Sequence, residues 1–230
     1  IVTFINIVSP KPNERILDCM CGYSEAGKAL LSKERKIDLW LLDYSRLQIK
    51  RAKNNLKEIH PKHFVIASAL RTPFQNNFFD KIIIKMGLHE IKKEYQIKLL
   101  KEMKRILKKN GKLIIWNLIL NEKNQETFRK IFRKKDNLAG FKDLAKNRYF
   151  LTEKELINLA NQVFKNIKRK YKGELVFSTK IRLESEFSGN INKIRSLNSF
   201  IKNIFPKRLK KVSKYEQRDD DIRFVTENNI

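Results

Sequence analysis

Two aspartates stand where they can recognise a ligand. Asp18 sits at the end of the apolar run that starts at Arg15, and Asp43 directly follows the run 37–42. An acid at the end of a second strand can accept hydrogen bonds from both hydroxyls of a ribose. Between the two lies the segment Cys19-Met20-Cys21-Gly22-Tyr23-Ser24. A tight turn there, with Gly22 inside it, lets backbone N–H groups approach a bound molecule. A third place is Lys85-Met86-Gly87-Leu88-His89-Glu90, which follows another apolar run. His89 can take a proton from a hydroxyl or amine near neutral pH, and Glu90 can orient its ring or bind a cationic group.

These residues need a scaffold, and the hydrophobic pattern supplies one. Strands are predicted over 15–20, 37–42, 63–67, 79–84 and 112–118, each a short, mostly apolar run. Helices are predicted between them: 25–33, then one capped by Ser45 that carries Leu47, Ile49, Ala52 and Leu56, then 92–108. Leu99, Met103, Ile106 and Leu107 form the buried stripe of the last. Gly111 suits a left-handed cap at its end. Five alternations in about 115 residues predict a parallel sheet wrapped by helices, with the ligand at the carboxyl ends of the strands.

The second half reads differently. Residues 121–148 look helical with a weak apolar stripe. Thr152-Glu153-Lys154-Glu155 fits a capping box. Two strands are predicted at 166–171 and 175–183, joined by a turn at Gly173, and an amphipathic helix at 190–204. The expectation is one domain: a cofactor-binding core over 1–120, a helical lid over 121–150, a completion of the sheet over 151–206, and a basic, loosely held tail over 207–230.

The runs ILDCMCG, LLDYS, ASALRTPFQNNFFDKIII and LKEMKRILKKNGKLIIW stand in this order. Together they resemble the motifs of class I S-adenosylmethionine-dependent methyltransferases, and most nearly the small-molecule group that includes quinone-biosynthesis enzymes. The resemblance covers residues 14–118 and continues more weakly over 150–170. It implies an α/β, Rossmann-like, doubly wound and mostly parallel seven-stranded sheet, with helices on both faces and a helical lid insertion. It implies S-adenosylmethionine as cofactor, with Asp18, Cys21 and Gly22 beside its methionine part, Asp43 on the ribose, Tyr44 along the adenine, Ser68 and Ala69 at the adenine edge, and Lys85 nearby. His89 and Glu90 are the expected catalytic pair. The sequence departs from the family at four places: Met20 and Ser24 stand where glycines are usual, Ser68 stands where an acid is usual, and Asn110 stands where proline is common.

The acceptor is narrowed by absences. No Asn/Asp-Pro-Pro-aromatic motif follows the fourth strand. Both cysteines lie in the first-strand loop, and only Lys85 sits near a Lys-Asp-Lys-Glu-like place. A small-molecule acceptor is therefore favoured over RNA. An RNA methyltransferase using basic clusters, or a non-catalytic cofactor-binding relative, are the alternatives. The formal charge is +26. It is spread evenly along the chain, with local clusters at 129–135, 165–172 and 207–214, and reads as a composition bias. Cys19 and Cys21 are too close to pair with each other, and no Cys/His spacing suggests a metal. No apolar run is long enough to span a bilayer. A reduced, cytoplasmic protein is expected, its N-terminal sequence extending before Ile1, with its oligomeric state left open.

Overall fold

Apolar side chains alternating between two covered faces build the sheet. In the computed structural model, which describes residues 1–58 and 62–229, strand β1 (Arg15–Cys19) sends Ile16 to one side and Leu17 to the other, and both are fully buried. Helix α1 (Val2–Val8) precedes it. Then come α2 (Glu25–Lys33), β2 (Asp38–Asp43), α3 (Arg46–Asn55), β3 (Lys62–Ile66), β4 (Phe79–Lys85), a 3-10 turn (Leu88–Glu90), α4 (Lys93–Ile106) and β5 (Leu107–Ile119). Strands β1 to β5 are parallel in the order β3-β2-β1-β4-β5. The order reverses between β1 and β4, and a ligand crevice is expected at that switch point.

One face of this sheet packs on α4, through Leu99, Met103 and Ile106 against Leu17, Ile82 and Ile84. The other packs on α1 and α2, where Phe4, Leu30 and Leu31 meet Ile16, Leu39 and Ile83. Ser45 caps α3 by accepting the Gln48 N–H at 3.3 Å. The side of α3 differs from expectation at one residue: Ile49 and Ala52 are buried, whereas Leu47 is exposed.

The remaining elements are α5 (Gln125–Ala139), α6 (Lys142–Asn147), α7 (Glu153–Asn161), β6 (Lys172–Ser178), α8 (Arg182–Ser185), α9 (Ile191–Ile204), α10 (Lys207–Val212), β7 (Glu216–Arg218) and β8 (Asp221–Asn229). Strands β6, β7 and β8 are antiparallel. They join the parallel part where β8 pairs with Asn117 to Ile119 at the end of β5. Their inner face forms a core of its own with α5 and α9, centred on Phe128, Ile131, Phe177, Leu197 and Phe224.

The expected seven-stranded sheet is thus five parallel strands plus three antiparallel ones. The extra strands come from residues 216–229, which were expected to be a loose tail. Ile222 and Phe224 are fully buried there, and that apolar surface holds the segment in place. No strand forms at 166–171. Gly173 lies inside β6 rather than at a turn, and β6 stops at Ser178, where Asp221 accepts the Ser178 hydroxyl at 2.8 Å. The helical stretch 121–148 is two helices, broken at Gly140, whose φ is 85°. The expected capping box is present, with Thr152 and Glu155 bonded reciprocally.

Gly111 is not a left-handed cap. Helix α4 runs straight into β5, so the end predicted at 108 comes two residues earlier. A Cβ on Gly111 would lie 2.8 Å from the Leu107 side chain and 2.9 Å from the Asp80 carbonyl oxygen. Glycine is there because β4 and β5 approach too closely for a side chain. Gly111→Ala should therefore destabilise the fold by about 1–3 kcal/mol, read as a lower Tm. An unchanged Tm would show that the strands part at no cost.

Candidate cofactor and active site

β1 enters its loop in a demanding conformation. Met20, Gly22 and Ser24 all have positive φ, at 61°, 54° and 60°. A left-handed residue bearing a Cβ costs roughly 1–2 kcal/mol. The loop therefore keeps the path that glycines would take at 20 and 24, and specific contacts hold it there. The Ser24 hydroxyl donates to Asp18 Oδ2 at 3.2 Å, and the Gly27 N–H donates to the same oxygen at 3.2 Å. A Cβ on Gly27 would fall 2.2 Å from Ser24 Oγ, so α2 needs glycine to let the hydroxyl in. Met20 lies along Gly87, where an added Cβ would meet its Cβ and Sδ at 3.1 Å. A Cβ on Gly22 would meet nothing within 4 Å.

Asp43 ties this loop to the next. One of its oxygens accepts the Gly22 N–H at 2.9 Å and the other accepts the Ser45 N–H at 2.8 Å. The Cys21 N–H also donates to the Leu42 carbonyl at 3.0 Å. On the far side, Asn55 Nδ2 donates to the Tyr23 carbonyl at 3.0 Å.

Around these loops lies a cavity of about 860 Å³ at the carboxyl ends of β1, β2 and β4. Of the residues singled out from the sequence, it brings together Asp18, Cys21, Gly22, Asp43, Tyr44, Ser68, Ala69, Lys85 and Glu90. Its ionisable lining is acidic: Asp18, Glu25, Asp43 and Glu90 against Lys85, and Lys85 is itself paired with Glu25 at 2.6 Å. Burial pushes the Asp18 carboxyl up to about 7, against the lowering effect of Ser24 and Gly27. Burial also raises the Cys21 thiol, with Asp18 and Asp43 beside it, so it is no nucleophile. Tyr44 is exposed at the mouth. The Ser68 hydroxyl accepts the Leu70 N–H at 3.2 Å. Met20, Gln48, Met86 and Ile91 also line the cavity. Met20 and Met86 stand in segments singled out from the sequence, whereas Gln48 and Ile91 carry no motif signal and become visible only in three dimensions.

His89 is not among the lining residues. It is 5% exposed, its ring is stacked on Phe150 with centroids 4.6 Å apart, and Nδ1 lies 2.8 Å from Asn117 Oδ1. Asn117 Nδ2 donates to the Leu118 carbonyl, which turns Oδ1 toward the ring and places the proton on His89 Nδ1. Burial pushes the imidazole down to about 3, so it is neutral near pH 7. The geometry takes from His89 the proton-accepting role expected of it. The position was inferred from its place after β4, but the 3-10 turn sends 89 inward and 90 outward. Glu90 reaches the cavity and pairs with Arg148 at 3.0 Å.

Ser24 offers a direct test of this loop. The folded Asp18 carboxyl keeps its proton to about pH 7, whereas its usual value is 3.8. Stability therefore falls as pH rises through that window. Ser24→Ala and Ser24→Gly both remove the donor and should move Asp18 titration, followed by carboxyl-carbon NMR, to higher pH. The glycine variant should be the more stable of the two by about 1 kcal/mol, because it relieves the positive φ. Unmoved titration in both would show that the hydroxyl does not hold the carboxylate.

Comparison with known proteins agrees with this geometry. Residues 16–111 match a family model described as a methyltransferase domain. The demethylmenaquinone methyltransferase of Thermotoga maritima is 28% identical over 119 residues, covering 52% of this chain and 48% of that protein. An uncharacterised protein of Methanocaldococcus jannaschii is 34% identical over 147 residues, 59% of each chain. The chain thus spans about half the length of the curated relatives it matches. The crystal structure of the YcgJ protein of Bacillus subtilis superposes with a TM-score of 0.82 at 14% identity, covering 98% of this chain and 93% of that one, a likeness of fold. Motif order, sheet topology and these matches converge on residues 16–111, which resemble a methyltransferase domain.

Proposed function

We propose that this protein transfers a methyl group from S-adenosylmethionine to a small, largely apolar acceptor. The observation that carries the reading is an acidic cavity at the switch point of a strongly basic molecule. The residues present fit the cofactor. Gly22 leaves open space where a side chain would intrude, Asp43 stands at the end of β2 with lone pairs to spare, and the acidic lining favours a positive ligand. When bound, the cofactor supplies an electrophilic methyl carbon on a sulfonium.

The chain's own groups align and desolvate. Asp43 would hold the ribose hydroxyls while bracing the Gly22 and Ser45 backbones. Tyr44 would cover the adenine, with Ser68 and Ala69 at its edge and no carboxylate there. Asp18 and Cys21 would border the methionine part, and Glu25 keeps Lys85 neutralised beside it. The acceptor would enter by the β4 end, between Met20, Met86 and Ile91, whose flexible apolar side chains adapt to a ring or chain. Methyl transfer needs alignment above all. Where the acceptor must lose a proton, Glu90 is the group placed to take it, held by Arg148. His89 is a positioning residue: its carbonyl accepts the Tyr149 N–H at 2.8 Å and its ring fills the space behind Glu90. Relatives named for demethylmenaquinone support a small-molecule acceptor over RNA.

Two measurements test this reading. Asp43→Ala should weaken S-adenosylmethionine binding roughly 10- to 150-fold in calorimetry, the equivalent of about 1.5–3 kcal/mol for bonds to a charged acceptor. Wild-type affinity in the folded variant would remove the cofactor assignment. Glu90→Gln should slow turnover of a hydroxyl or amine acceptor about 10²- to 10⁴-fold. His89→Ala should instead lower stability and leave the turnover of the folded fraction intact. The reverse pattern would restore His89 as the base.

A further inference from the structure

The positive charge is shared evenly by the two halves of the chain but not by its individual elements. From Phe187 to Tyr215 the chain has eight Lys or Arg and no acid. This stretch contains α9 and α10, which pack with α5 over the antiparallel strands. On α9, Ile194, Leu197 and Ile201 face inward while Arg195 and Lys202 are exposed. On α5, Phe128, Ile131 and Phe132 face inward while Lys130 and Arg133 are exposed. The two helices touch, since Lys134 Nζ of α5 lies 5.8 Å from the Phe200 ring centre of α9. All four cations of α10 are exposed, beside Val212 at 69% exposure. None of the exposed cations named on these three helices has a carboxylate partner among the described residues, whereas Lys214, just beyond α10, pairs with Glu174 at 2.7 Å. Other cations of the molecule do have carboxylate partners, as in Arg105–Glu102, Lys81–Glu14 and Arg148–Asp136.

We infer that the outer face of α5, α9 and α10 docks the protein on an anionic lipid surface. The lysines and arginines of α9 and α10, with no acid among them, attract lipid phosphates, at about 1 kcal/mol for each basic residue near the surface. Three observations favour lipid over nucleic acid. Lys134 and Lys210 cover the rings of Phe200 and Tyr215, so those rings offer no platform for stacking bases. Val212 projects from the most basic helix, as an interfacial helix requires. And Lys85, the one cation in the cavity lining among the described residues, is paired with Glu25, so the site offers a phosphodiester chain no free cation. The inference extends the proposed function, resting on its apolar acceptor, which would concentrate in a membrane that this face touches.

The test is co-sedimentation with vesicles of equal parts phosphatidylglycerol and phosphatidylcholine, and with pure phosphatidylcholine. The protein should bind the first, not the second, and bind less as salt rises. The triple variant Lys207→Gln, Arg208→Gln and Lys211→Gln should partition about 100-fold less, three basic residues at about 1 kcal/mol each. The α5 pair Lys130→Gln and Arg133→Gln should lose less and in the same direction. Both should bind S-adenosylhomocysteine as the wild type does, which shows them folded. Equal binding to both vesicles, or undiminished binding by both variants, overturns the inference. So does duplex RNA that displaces the protein from vesicles and depends on the same cations, because the partner is then a nucleic acid. A wild type that binds vesicles but not S-adenosylhomocysteine would sink the methyltransferase reading and leave the docking face standing.

Discussion

The site depends on how the chain leaves β1. It must turn from a buried strand into α2 within five residues and still leave room at the sheet's edge. Three left-handed residues at alternate positions achieve this, and only one is glycine. The strain at Met20 and Ser24 is of the order of a few kcal/mol in total. Its offsets are local and specific: a hydroxyl on a buried carboxylate, a thioether against Gly87, and a backbone N–H on Asp43. Departures from the usual glycines therefore do not close the cavity. They convert a freely turning loop into one braced by its own side chains.

The same loop sets the electrostatics. Asp18 is placed where water cannot reach it, and its charge is disfavoured until about pH 7. Asp43 is better solvated and bonded to two N–H groups. Two carboxylates beside one turn thus differ: Asp18 is desolvated, and Asp43 braces two backbone N–H groups. Acidic groups line the cavity, while α9 and α10 carry lysines and arginines with no acid among them. A net charge of +26 hides that separation.

The second core is joined to the cavity by charge as well as by apolar contact. Glu90 at the cavity pairs with Arg148, Arg148 with the buried Asp136 of α5, Asp136 with Lys135, and Lys135 with Glu186 beyond α8. Such a chain gains little net stability, because its inner ions, Asp136 and Lys135, are desolvated. Its value is geometric: each carboxylate accepts only where its partner points. Phe132, Phe150 and His89 stack alongside it. Helix α5 is therefore fixed to the β4 end of the cavity, and a shift of either would disturb the other.

Local pattern determined much of this protein. Strand positions, the Ser45 and Thr152 caps, the α4 stripe and the acids at the ends of β1 and β2 all follow from spacing and side-chain chemistry within a few residues. Motif order was enough to indicate the cofactor. Contacts distant in sequence decided the rest. Residues 216–229 look like a charged tail until β5 and β6 pair with β8, since a strand's hydrogen bonds are supplied by its neighbours. Gly111 reads as a helix cap until β4 is placed 2.9 Å from where its Cβ would be. His89 reads as a base until the 3-10 turn and Phe150 bury it, because a side chain's proton affinity is set by the dielectric around it and not by its type.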